Sequence, residues 1–426
     1  MKFAAKSMVD KVSGSLSIGL RLALERAAEN LGITFGNFLL WIAREASASG
    51  ADRIFFLSRE GIWLSQHYEA LRRTDPSGCL PPSAALAVSR RSTFLPSLSE
   101  VGPDALTPLI AQYRSTSVGA VIWSLGLTDE MSDADLRESL GPIERRTPWA
   151  APGVAAAVLG APRIAEVLEQ RRLTQRRALS AYLAEKGLVP RLNPVIVIDI
   201  GWRGTIQDNL ARLFPETTFT GLYFHLQPYF VSQAANTVKR AFIPRDAERT
   251  PRLLRRLRFA APLEFVASDP RGSTLCYSVD SGTAKPILDE SFVVSSPAKE
   301  ALDLLHQRIA AHIGMLSTAM EPQAGIALQR VLEFLEKPDR DFVNLFFHGF
   351  RDDRFGAGEL RSGAKNVLWA DLARAAFSTE ERIKLGVTLA ESGWPWGLLK
   401  RDLPILAPLL RIALLALDHR VPANRN

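Results

Sequence analysis

The densest run of chemistry-bearing residues is Asp199-Ile200-Gly201-Trp202-Arg203-Gly204-Thr205-Ile206-Gln207. Read as a ligand site, it suits a phosphate. Gly201 and Gly204 let backbone approach closely, a helix start near Thr205 and Gln207 offers N–H groups with partial positive charge, and Arg203 adds a fixed fork of donors. Asp199 is then a candidate catalytic acid, base or nucleophile. The plainer alternative is that Asp199 caps a helix and the glycines only turn the chain. Two more clusters have the same character. In Ser58-Arg59-Glu60-Gly61, Arg59 could clamp an anion and Glu60 could act as base or acid; the alternative is a surface ion pair. In Ser89-Arg90-Arg91-Ser92, Arg90 and Arg91 supply two more guanidiniums, or simply solvated turn charge.

Each cluster follows a short apolar run. Arg53-Ile54-Phe55-Phe56-Leu57, Ala84 to Val88 and Pro194-Val195-Ile196-Val197-Ile198-Asp199 read as buried strands, the last unalternated as in parallel sheets covered on both faces. A further strand is expected at Phe219–Leu226. Ile18 to Ala48 has helical spacing interrupted near Gly32 and reads as a helical hairpin. Strands alternating with helices imply an α/β fold with a Rossmann-like, mostly parallel sheet, in which ligands sit at the carboxyl ends of the strands. The expected organisation is an α/β core over 1–248 with a helical insertion at about 100–191, a β-hairpin extension over 249–290 turning at Asp280-Ser281-Gly282, and a helical region over 291–426.

Several familiar templates are missing. No Walker loop, GxGxxG fingerprint or GxSxG elbow is present. Asp133-Ala134-Asp135 and Asp339-Arg340-Asp341 resemble the metal-holding DxD of sugar transferases, but neither follows an apolar strand; Ser132 with Asp135 suits a helix cap, and Pro338 with Asp339 a helix break. The six histidines show no metal-ligand spacing, leaving His225, beside a strand end, as the one to watch. Trp63, Phe94 and Trp202 adjoin the expected cleft and could stack on a base or sugar ring, or pack in the core. The Trp394-Pro395-Trp396 turn could close over a ligand or pack inside.

Composition bounds the partners. A chain of 426 residues, 47% hydrophobic and 23% charged, builds ordinary globular cores rather than a disordered or collagen-like chain. Two cysteines, Cys79 and Cys276, suit a reducing compartment. The formal charge of +7 favours anionic partners. Basic residues gather at Gln170 to Arg177 and Arg249 to Phe259, as solvated helix faces or as contacts to an anionic surface. Leu403 to Arg420 is broken by Pro404, Pro408 and Arg411 and falls short of a membrane span; a helix in the membrane interface and one packed on the protein itself both fit. The expected location is the cytoplasm, with peripheral contact at the inner membrane left open. No nucleic-acid stripe is visible.

The segments FFLSREGIWL, AVSRRSTFLPSL, VIDIGWRGTIQDNL and APLEFVASDPRGSTLCY together resemble the region that accompanies haloacid-dehalogenase-like hydrolase domains in bacterial surface-polysaccharide biosynthesis proteins. The resemblance runs from about Ile18 to Val279. It implies a role in capsule or lipopolysaccharide assembly. The expected activity is glycosyl transfer from a nucleotide sugar or other sugar phosphate to a glycan acceptor. The alternatives are a magnesium-dependent hydrolase using Asp199, whose second aspartate position is held by Gly201, and a catalytically silent scaffold.

Overall fold

The computed structural model describes residues 16–106, 117–190, 194–229, 232–243, 257, 261–267, 269, 271–290, 296–348, 366–408 and 410. The basic run at Arg249 to Phe259, apart from Leu257, and the tail beyond Leu410 lie outside them. The chain forms an α/β fold around a five-stranded, all-parallel sheet: β1 (Ile54–Leu57), β2 (Ser83–Leu86), β3 (Val195–Asp199), β4 (Phe219–Tyr223) and β5 (Thr237–Ala241), in the order β2-β1-β3-β4-β5. The order reverses once, between β1 and β3, unlike the 3-2-1-4-5-6 order of the dinucleotide-binding fold. Such a reversal opens a crevice outside the strands' carboxyl ends.

Alternate side chains of the strands enter two cores. Ile54, Phe56, Ile196, Ile198 and Leu222 pack with α1 (Ile18–Ser49), α2 (Glu60–Arg73) and C-terminal helices. Phe55, Leu57, Val195, Val197 and Phe219 pack on the opposite face, against residues of the helices over 162–185 and 205–213. This two-sided burial explains the unalternated apolar runs.

Helix α1 corrects the expected hairpin: it is one helix of 32 residues, capped by Ser17 and ended by Gly50 in the left-handed region. Gly32 marks a contact rather than a break, because a Cβ there would come within 2.5 Å of the His312 Cβ. The helices that follow are α3 (Arg90–Ser97), α4 (Val118–Ser124), α5 (Leu127–Glu130), α6 (Asp133–Leu140), α7 (Val154–Gly160) and α8 (Pro162–Glu185). They gather around a third core that includes Phe94, Val121, Trp149 and Leu168. Arg171 and Arg172 in the basic run of α8 are buried and paired with Asp129, Glu130 and Glu169. They are neither solvated nor available to an outside surface.

After α9 (Thr205–Leu213) and α10 (Ala261–Ala267) come β6 (Thr274–Asp280) and β7 (Thr283–Leu288), an antiparallel pair. Ser281 and Gly282 both have positive φ, the signature of a two-residue type I′ turn. The hairpin is docked, not free: the Tyr277 ring stacks on Tyr182, its hydroxyl donates to the Ala87 carbonyl at 2.8 Å, and Ser89 Oγ donates to the Thr274 carbonyl at 2.6 Å. Helices α11 (Ser296–Ile313), α12 (Ala324–Glu336), α13 (Arg340–His348), α14 (Trp369–Phe377), α15 (Thr379–Glu391) and α16 (Pro395–Asp402) form the C-terminal region, with α11 and α12 packed along α1. Trp394 is buried, stacked with Phe334, and donates to the Leu335 carbonyl at 2.8 Å, so that aromatic turn packs in the core. Among the described residues no helix is long and apolar enough to cross a membrane.

Candidate functional site

The three strand-end clusters meet in one cleft of about 170 Å³ at the β1/β3 reversal. It falls below the roughly 300 Å³ at which pockets for drug-sized ligands begin. Arg59, Glu60, Arg90, Arg91, Asp199, Gly201, Arg203, Gly204 and Thr205 all line it.

Local structure explains the convergence. Ser58 Oγ donates to the Val88 carbonyl at 2.9 Å, tying the end of β1 to the end of β2, and α2 starts immediately at Glu60. The basic turn after β2 is the start of α3: Ser89 and Ser92 form a reciprocal capping box with bonds of 2.9 and 3.0 Å. Arg90 and Arg91 are consecutive helical residues, about 100° apart around the axis, so they diverge. Arg90 is exposed at the cleft mouth; Arg91 is buried, donates to both Asp129 oxygens at 2.8 and 3.1 Å, and lies 3.9 Å over the Trp123 ring.

After β3, Gly204 caps α9 with φ +66°, and a Cβ there would come within 2.6 Å of the Tyr223 hydroxyl oxygen. Only glycine meets both demands. Beneath the turn, Lys239 from β5 donates to the Arg203 carbonyl at 2.9 Å and pairs with Asp208 at 2.8 Å, its side chain 1% exposed. Arg203 Nε donates to the Pro228 carbonyl at 3.2 Å. The N-terminus of α9 therefore faces the cleft with its amides held in place.

Gln207 is the correction. It is fully buried and does not line the cleft: its amide nitrogen donates to the Phe219 and Val238 carbonyls at 2.9 and 3.0 Å, and its oxygen accepts from the Tyr223 hydroxyl at 2.6 Å. As the third residue of α9 it turns inward and clips β4 to β5. Trp63 is buried in the core that the sheet shares with α1 and α2, Phe94 in the third core, His225 is buried just beyond β4, and only Trp202 of the proposed stacking aromatics borders the cleft. Asp133 and Asp135 begin α6, where Ser132 and Asp135 form a capping box, and Asp339 precedes α13 and pairs with Arg26. Neither pair reaches the cleft.

Glu264 is the residue the sequence reading missed. It lies on α10, lines the cleft, and accepts from the Trp202 indole N–H. Burial, and then the Glu60 charge, push its carboxyl up to about 7 against the pull of Trp202, Arg90 and Arg59. Asp199 is likewise raised to about 7 by burial first and the Glu60 charge second, while the Gly201 N–H and Arg90 pull it down. Two carboxyls poised near neutrality beside arginines can exchange a proton with a ligand. The hairpin adds Thr274 and Asp289, and the insertion adds Trp123. Glu264 was visible only inside the segment APLEFVASDP, with no strand or glycine to mark it.

Among the described residues, no three His, Cys, Asp or Glu side chains come together as a metal-holding group. Comparison with protein-family models found no match, and comparison with curated proteins found none.

Proposed function

We propose that the cleft binds a phosphate-bearing sugar donor and that the protein is a glycosyl transferase of bacterial surface-polysaccharide assembly. The observation that carries this reading is the meeting of the three strand-end clusters at the sheet's point of reversal. Arg59, Arg90, Arg203 and the amides from Trp202 to Thr205 hold the phosphates. Asp199, with Glu264 beside it, takes the proton from an acceptor hydroxyl as that oxygen bonds to the sugar carbon. The bond from that carbon to the phosphate oxygen breaks, and the arginines stabilise the departing charge. A carboxyl near 7 suits a base at neutral pH. It suits an aspartyl nucleophile poorly, and Gly201 leaves no second acid two residues on.

The test is release of nucleoside diphosphate from a panel of nucleotide sugars, with a lipopolysaccharide or capsule extract as acceptor. Release that falls at least about 100-fold in Asp199→Asn while the donor still binds supports the reading. Binding of no nucleotide sugar by the wild type would overturn it in favour of a scaffold. Release of inorganic phosphate from simple esters would favour a hydrolase.

A further inference from the structure

The cleft has buried lining residues as well as exposed ones. Arg91 and Thr274 both line it and both are buried, the Arg91 side chain 5% exposed and Thr274 1%. Yet Arg91 Nε and Nη1 and Thr274 Oγ1 have no hydrogen-bond partner among the described residues. Buried polar groups left this way destabilise a fold and call for an explanation. The rest of each residue is fixed. Arg91 Nη2 is held by Asp129 and its guanidinium by Trp123; the Thr274 carbonyl is held by Ser89.

Charge is already balanced there. Arg91 and Arg171 share Asp129, and Arg171 also meets Glu130, so two cations face two anions. A phosphate would unbalance this cluster. A hydroxyl would not: it accepts from a guanidinium N–H and can donate to, or accept from, a threonine hydroxyl. We propose that Arg91, Trp123 and Thr274 form a subsite for the polyhydroxyl part of the ligand, whose phosphates occupy the mouth at Arg59, Arg90 and Arg203. This rests on the phosphate-bearing donor proposed above. It makes the helical insertion, which supplies Trp123 and Asp129, a determinant of sugar specificity.

The experiment is calorimetric titration of wild type, Thr274→Val and Arg91→Lys with UDP, GDP and their hexose conjugates. Wild type should bind a conjugate more tightly than its diphosphate. Thr274→Val should weaken that conjugate about five- to tenfold and leave the diphosphate unchanged. The same variant should melt at a higher temperature, because it removes an unsatisfied hydroxyl; a merely structural threonine would not show these opposite signs. Arg91→Lys keeps a cation for Asp129 but loses the planar donors, and should weaken the same conjugate. Diphosphate binding with no gain from the sugar, or with conjugate affinity unchanged in both variants, would overturn the subsite alone. Failure of wild type to bind any of the probes would overturn the phosphate reading, and the subsite with it.

Discussion

Two arginine–carboxylate assemblies lie side by side in this protein and behave in opposite ways. In the inner one, Asp129 and Glu130 are each met by a buried guanidinium. In the outer one, Asp199 and Glu264 are pushed up to about 7 because burial and the Glu60 charge outweigh the nearby arginines. Arg90 and Arg91, one residue apart, belong to different assemblies. The inner, closed cluster ties α3, α5 and α8 to one another, whereas the outer, open one holds its carboxyls at a pKa where a bound ligand changes their protonation. Departures of this kind from the most stable arrangement gather at functional sites.

The largest effect is expected from breaking the closed cluster. Asp129→Ala leaves Arg91 without its carboxylate and should cost about 3 kcal/mol, read as a lower urea midpoint. Arg203→Ala at the open cluster should cost little stability and remove ligand binding. An equal loss of stability in the two variants would erase the distinction.

Next is Gly204→Ala, about 1–3 kcal/mol, from the positive φ and the approach of Tyr223. It should also weaken anion binding, since the turn presents the α9 amides.

Asp199→Asn should stabilise the protein by about 1–2 kcal/mol above pH 7, the full shift being discounted for partial exposure. The folded carboxyl titrates near 7 and the unfolded one near its ordinary value of 3.8. Between those values the native state binds more protons, so wild-type stability falls as pH rises. The variant's gain should therefore grow from pH 4 to pH 7, as thermal melts across that range will show. A gain independent of pH would contradict the raised carboxyl.

The smallest effect belongs to the acidic triplet outside both clusters. Asp135→Ala removes half of the α6 capping box and should cost about 0.5–1 kcal/mol, with ligand binding unchanged.

Much of this was legible from the residues. The strands β1 and β3 announce themselves because burial on both faces demands unbroken apolar runs, and the Ser281-Gly282 turn because few residues accept positive φ. Strand β5 was not legible: Thr237–Ala241 is an edge strand, only half-buried, with charged Lys239 and Arg240 in it. Gly32 read as a break because its packing partner, His312, is 280 positions away in the chain. Gln207 read as a ligand contact because its inward turn depends on β4 and β5, which sequence spacing does not orient. Glu264 was hidden because it reaches the cleft from a short helix with no local pattern of its own.

The most direct measurement is the proton count on binding. Titration of a nucleoside diphosphate into the protein at pH 7, in two buffers of different ionisation enthalpy, reads it calorimetrically. An anion placed beside Asp199 and Glu264 raises both carboxyls further, so proton uptake is expected, with affinity weakening from pH 6.5 to pH 8 and binding lost in Arg203→Ala. Binding with proton release, or binding that Arg203→Ala leaves intact, would contradict the assignment of the open cluster as the anion site.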